Sequence, residues 1–136
     1  MKLPDVPQRY AFIVLRAITG IIFITHGAAR IYYGTVDGFG EFLNHQGFLI
    51  GLPLAWTITI GEIVIGSCLA VGFKTRICVL FHGIIIITGI YLIHLPQGWF
   101  TVGQSSGGVE YSLLLLAVLL FIYSYSTNKQ TIPQQL

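Results

Sequence analysis

Residues 53–73, PLAWTITIGEIVIGSCLAVGF, are the stretch that decides the fold. The segment is almost entirely apolar or small, and its single charged side chain is Glu62. About 20 apolar residues in an α-helix cross the roughly 30 Å hydrocarbon core of a bilayer. Because that core offers no partner to an open backbone, the segment must be helical. It predicts a transmembrane helix with one ionisable group near its middle.

Three other stretches, residues 10–29, 77–95 and 109–125, are similar in length and apolarity. They lack the alternation of apolar and polar residues that membrane barrel strands show. Only 9% of the 136 residues are charged, whereas a soluble domain has about 25%. The sequence therefore predicts an all-α, integral membrane four-helix bundle that forms a single membrane domain over residues 1–136.

The basic residues predict the orientation of this bundle. The basic residues near helix ends lie on the same side of the membrane as the two chain termini, except for Arg30, which lies on the other side. The others are Lys2, Arg9, Lys74, Arg76 and Lys129. Because cytoplasmic loops are enriched in Lys and Arg, we expect cytoplasmic N and C termini in a bacterial-type inner membrane. The basic residues are dispersed and the net charge is only +2, so nucleic acid is not an expected partner.

The first outer loop is expected to contain a short interfacial helix. Residues 37–50 place Phe39, Phe42, Leu43 and Gln46 at helical spacing, which is typical of an amphipathic helix lying in the membrane interface. Several glycines in the segment disfavour a helix of more than two turns.

Glu62 is the most informative polar residue. A charge at the centre of a membrane helix costs about 2.5–3.5 kcal/mol on insertion scales, so it needs a partner or a function. Ala55, Thr59 and Gly66 share its helical face, and small residues let another helix approach closely. We therefore expect the carboxyl group to face the bundle.

Four further polar residues fall at the outer ends of the predicted helices: His26, Arg30, His94 and Glu110. At 1.5 Å per residue, Glu62 is expected two to three turns deeper, so that the set forms a funnel open to the outside. Simpler explanations remain open for three of them. Arg30 could anchor a helix end at the headgroups, Glu110 could only favour a helix start, and His94 could be an interfacial residue.

Metal binding and nucleophilic catalysis have little support in the sequence. His26, His94, Glu62 and Glu110 could converge, but no HExxH or HxxxH motif is present, so no metal ligand is assigned. A nucleophile elbow and a glycine-rich phosphate loop before a helix are also absent from the sequence.

Several segments together resemble the DoxX family of membrane proteins. They are HGAAR at residues 26–30, EIVIG at 62–66 followed by VGFKTR at 71–76, then His94, GWF at 98–100 and GGVEY at 107–111. The resemblance implies a four-helix membrane bundle. It also implies a connection with quinone chemistry, because DoxX-like proteins include membrane subunits associated with thiosulfate:quinone oxidoreduction. Many members of the family have no assigned activity.

The leading hypothesis is a quinone-linked redox membrane subunit with an outward-facing polar pocket. Glu62 would hold or relay a proton, and His26 and His94 would hydrogen-bond the carbonyl groups of the ligand. These three residues are the predicted catalytic group.

The remaining predicted site residues would bind the ligand. Arg30 would stabilise developing negative charge, Glu110 would complete the pocket, and Trp99 and Phe100 would cover its mouth. A quinone is the cofactor or substrate that this hypothesis requires, and a redox protein or a second copy of the chain is the expected partner. The alternatives are a non-enzymatic assembly factor and, less favoured, a small transporter.

Overall fold

The computed structural model describes residues 5–103 and 107–131, and its regular structure in these ranges is helical. The helices are α1 (Gln8–Tyr32), α2 (Val36–His45), α3 (Gly51–Val71), α4 (Thr75–Gly89) and α5 (Glu110–Thr131). Helix α4 continues through a π-helical turn, Ile90–His94, and a 3-10 turn, Leu95–Gln97. Helices α1, α3, extended α4 and α5 are long and apolar enough to cross a membrane. The predicted all-α architecture with four spans is confirmed.

Helices α3 and α4 form a tight hairpin, which the short link between the predicted spans 53–73 and 77–95 implies. Helix α3 ends at Val71 and is capped by Gly72, whose φ of 87° is left-handed and is easily adopted by a residue without a Cβ atom. The Gly72 N–H donates to the carbonyl oxygen of Cys68 at 3.0 Å, and Lys74, with φ 43°, then starts α4. We call the end of the bundle with this hairpin and both termini the terminal end, and the opposite end the loop end.

The observed helix bounds extend past several predicted ones. Helix α1 continues to Tyr32, beyond the predicted end at residue 29, and α5 continues to Thr131, beyond residue 125. Lys2, one of the residues used to predict orientation, lies outside the described residues. The cytoplasmic placement of the termini stays a prediction.

Helices α1 and α3 pack along a line of small residues. A Cβ atom built on Gly20 would lie 2.6 Å from the carbonyl oxygen of Gly66, and one built on Gly27 would lie 2.6 Å from that of Thr59. Both separations are too short for any side chain, so the two backbones are in direct contact. Ala55, Thr59, Glu62 and Gly66 are all buried on α3, which confirms that this face meets another helix.

The short helix α2 covers the loop end of α3. Its Leu43 is buried and packs with Val36 and Ala55, and Phe39 and Phe42 pack against this cluster. Gln46, predicted to lie on the same face, is exposed and follows the end of the helix. The predicted amphipathic helix is therefore present, and its apolar face packs on the protein. With 10 residues it is nearly three turns long, so the expected limit of two turns was wrong.

The main apolar core lies between the four long helices. It includes Phe12 and Phe23 of α1, Leu69 of α3, Val79 of α4 and Leu119 of α5. Contacts join α1 to α3, α3 to α4, α4 to α5, and α5 to α1. The four helices therefore form a ring, in which the seam between α1 and α5 lies opposite the seam between α3 and α4.

Candidate functional site

A cavity of about 490 Å³ lies among the helices toward the loop end. This volume is within the range of about 300–1,000 Å³ found for sites that hold drug-sized molecules. Most of its wall is apolar and includes the rings of Phe23, Phe42 and Phe81. The sequence-predicted residues that line it are His26, Arg30, Glu62 and His94.

Arg30 and Glu62 form a two-pronged ion pair in the wall of the cavity. The Arg30 Nη1 donates to Oε2 of Glu62, and Nη2 donates to Oε1 at 3.3 Å. The Glu62 side chain is 4% exposed and that of Arg30 22% exposed, so the carboxylate is buried with its counter-charge beside it. Such pairing offsets the cost of removing both charges from water.

Arg30 is held from two more directions. Its guanidinium carbon lies 4.8 Å from the centre of the Phe39 ring, a cation–π geometry that links α1 to α2. It also sits in the last turn of α1, where the negative end of the helix dipole favours a cation. The guanidinium thus points into the protein toward Glu62. Arg30 therefore does not act as a helix-end anchor at the lipid headgroups.

Glu62 is less deep than the sequence predicted. Gly27, one turn before Arg30, packs against Thr59 and Ile63 of α3. The backbone of Arg30 is therefore only about one turn above the level of Glu62, and its long side chain covers that distance. The expected separation of two to three turns was wrong because it ignored where the two helices cross.

His94 is oriented by the second long connection. Its Nδ1 lies 2.5 Å from the carbonyl oxygen of Gly107, and since a carbonyl only accepts hydrogen bonds, Nδ1 carries the proton. In the neutral ring Nε2 is then an acceptor, and it has no hydrogen-bond partner among residues 5–103 and 107–131. A ligand hydroxyl could donate to it, and a protonated ring could donate to a ligand carbonyl.

The π-helical turn places His94 on the cavity wall. His94 follows His82 by about three and a third turns of regular α-helix, which would direct the two side chains about a third of a turn apart. A π turn accommodates one extra residue and rotates the chain after it back toward the original direction. His82 faces the core, so His94 is brought to the same side.

Glu110, Trp99 and Phe100 lie in or beside the second connection and are not among the residues that line the cavity. The Glu110 carboxylate accepts a hydrogen bond from the Thr101 N–H at 2.7 Å. The backbone N–H of Glu110 donates to the Trp99 carbonyl oxygen at 3.1 Å, and the backbone N–H of Gly108 donates to the Phe100 carbonyl oxygen at 3.1 Å. These bonds fold the connection back on itself and fix the segment that presents the Gly107 carbonyl to His94.

Removing the Glu110 carboxylate is expected to loosen this connection without unfolding the bundle. In Glu110→Ala the Thr101 N–H loses its acceptor, which costs about 1–3 kcal/mol where the group stays shielded from water. Glu110→Gln keeps a carbonyl oxygen and should behave nearly as the wild type. Amide hydrogen exchange at Thr101 should accelerate at least about tenfold in Glu110→Ala alone; equal exchange in both variants would contradict the assigned role.

Some residues near the site were missed by sequence reasoning. Tyr111 and Ser112, directly after Glu110, both line the cavity. His82 lies behind the wall: its ring stacks on Phe23 with centroids 3.8 Å apart and meets the edge of Phe81 at 5.3 Å. The signal available in the sequence was that Ser112 and His82 are polar residues within apolar spans.

A metal-binding cluster is not part of this arrangement. Over residues 5–103 and 107–131, no three His, Cys, Asp or Glu side chains are grouped so that they could hold a metal ion. The charged and imidazole groups of the site are one ion pair and two histidines, set in a mostly apolar wall that also includes Tyr111 and Ser112.

Comparison with known proteins identifies the family. Residues 11–95, which contain most of α1, all of α2 and α3 and most of extended α4, match the DoxX family model. The chain belongs to the DoxX family. This multi-pass membrane protein is 32% identical over 108 residues, 76% of its length, to the Bacillus subtilis (strain 168) protein named "Putative oxidoreductase CatD", of which the match covers 70%. No solved structure matches it significantly. The resemblance inferred from the sequence segments is confirmed.

Proposed function

We propose that this DoxX protein is a quinone-linked redox membrane subunit, and that its cavity binds the ring of a quinone-like ligand. The observation that carries the proposal is the Arg30–Glu62 ion pair in the wall of an apolar cavity that His26 and His94 also line. The name of the Bacillus relative, an oxidoreductase designation, is consistent with a redox role.

The lining suits a flat ring with oxygen atoms at its edge. The rings of Phe23, Phe42 and Phe81 offer apolar surface to the faces of such a ligand. Arg30 has five N–H donors, and only some are engaged with Glu62. The free donors and the two imidazoles could therefore hydrogen-bond the ligand oxygens.

A bound quinone would accept two electrons and two protons, and the electrons would come from a separate redox partner protein. The part of this chain is to bind the ring and supply protons. Arg30 favours negative charge developing on a ligand oxygen. Glu62, which pairs with the same guanidinium, is the carboxyl group positioned to hold a proton and pass it to the ligand. His26, exposed on α1, connects the cavity with the surroundings.

Filling the cavity should weaken ligand binding. Gly89 lines the cavity, has helical φ and ψ of −62° and −39°, and a Cβ atom built on it meets nothing within 4 Å. Gly89→Leu therefore places a side chain in the cavity without backbone strain. We expect the dissociation constant of a short-chain benzoquinone, measured by quenching of Trp fluorescence in detergent, to rise at least about tenfold.

Gly83→Leu is the matched control. Gly83 is also in α4, a Cβ atom on it also meets nothing within 4 Å, and it does not line the cavity. Its binding should stay within about twofold of wild type. Equal binding by Gly89→Leu and the wild type, or no binding by the wild type, would refute the proposed ligand site.

The assembly-factor alternative has weaker support. It relies on small-residue helix faces to hold other membrane proteins, but Thr59 and Gly66 on such a face of α3 are already covered by Gly27 and Gly20 of α1. The small-residue face of α3 therefore packs against α1 of the same chain and is not free to bind a partner.

A further inference from the structure

The seam between α3 and α4 opens beside the cavity. Near the hairpin the two helices are in close contact, and the Phe81 ring packs over Gly61. Toward the loop end, Thr57 of α3 and Thr88 of α4 both line the cavity and are both exposed. Ile84, one turn before Thr88, lines the cavity as well and is 67% exposed. Side chains that reach both the cavity and the outside mark the edges of an opening.

This opening faces acyl chains. The membrane-spanning segment that contains α4 is Thr75–Gln97, so Ile84 and Thr88 lie near its middle, at the depth of the hydrocarbon core. The hydroxyl of Thr57 donates to the Pro53 carbonyl of its own helix at 2.8 Å, which leaves an apolar methyl group as its outward feature. The rim therefore suits a hydrocarbon chain.

The opposite seam has a different character. Between α1 and α5 the exposed residues that line the cavity are His26 and Tyr111, both polar. At the terminal end this seam is closed by Phe12, whose ring stacks on Tyr125 with centroids 4.1 Å apart. The exposed rim of the cavity thus carries an imidazole and a phenol at α1 and α5, whereas at α3 and α4 it consists of Ile84 and two threonines.

We infer that the gap between α3 and α4 is a lateral opening through which an apolar tail, attached to the ligand ring, extends from the cavity into the bilayer. The inference rests on the proposed function and specifies its ligand class, a membrane-dissolved quinone with a long tail. With the ring beside Arg30 and Glu62, a cavity of about 490 Å³ has no room for a lipid-length chain as well. The tail must leave the protein, and the α3–α4 rim is the apolar way out.

The test compares two probes that share a ring: a benzoquinone with a decyl chain and the same ring with a methyl group instead. Thr88→Phe narrows the opening from α4, and Thr57→Phe narrows it from α3. In each variant the affinity for the decyl compound should fall at least about tenfold more than the affinity for the methyl compound. Trp56 and Trp99 of the native chain report binding by fluorescence quenching.

Leu80→Phe is the control, because Leu80 is an exposed residue of α4 that does not line the cavity; it should bind both probes as wild type does. If the wild type binds the methyl compound, but Thr88→Phe and Thr57→Phe change the affinity for neither probe or for both probes equally, the lateral opening is overturned and the ring site stays intact. If the wild type binds neither the methyl nor the decyl compound, the proposed function is overturned, and the lateral opening with it.

Discussion

Glu62→Ala is expected to lower the free energy of unfolding by about 3 kcal/mol, the lower end of the range for breaking a buried ion pair. The lower end applies because Arg30 keeps some contact with the surroundings, its side chain being 22% exposed. The loss arises because the substitution leaves a guanidinium inside the protein without a counter-charge. Titration with SDS in mixed micelles, followed by circular dichroism, measures the difference.

A double substitution separates stability from ligand binding. Arg30→Met combined with Glu62→Met replaces both charges by apolar groups, which is often neutral or stabilising for a buried pair. We expect the double variant to recover most of the stability lost in Glu62→Ala while binding the methyl benzoquinone at least about tenfold more weakly than wild type. Wild-type stability in Glu62→Ala would contradict the buried pair. Wild-type binding in the double variant would remove Arg30 and Glu62 from the proposed site.

The sequence predicted the parts of the fold that depend on local pattern. Continuous apolar spans predicted the four long helices, and the small residues around Glu62 predicted that its carboxyl group faces a neighbouring helix, since both signals reside within one segment. The short link after Gly72 predicted the hairpin in the same way. These features needed no knowledge of which helices meet.

What the sequence could not supply was the relation between segments. The depth of Glu62 relative to Arg30 depends on where α1 crosses α3, and that point is set by Gly27 against Thr59. The direction of His94 depends on a π turn, which a regular period of 3.6 residues does not predict. Glu110 was grouped with the pocket because it begins a helix at the right level, yet its hydrogen bond to Thr101 lies within the connection.

The crossing at Gly27 also determines the site, so one methyl group there should have a large effect. The Cβ atom of Gly27→Ala would lie 2.6 Å from the Thr59 carbonyl oxygen and 2.8 Å from Cγ1 of Ile63. Because the first of these is backbone, α1 must move away from α3. Overpacking of this kind costs about 1–3 kcal/mol, and the movement also carries Arg30 away from Glu62.

Gly83→Ala is the matched comparison, since it makes the same chemical change in α4, where the added Cβ atom meets nothing within 4 Å. It should be neutral or raise stability by up to about 1 kcal/mol, because Ala is the better helix former. The same substitution thus has opposite signs at two helical glycines, and SDS titration of both variants measures this. A Gly27→Ala variant as stable as Gly83→Ala would mean that α1 and α3 do not approach backbone to backbone at Gly27. The ion pair would then lack the crossing that brings Arg30 to Glu62.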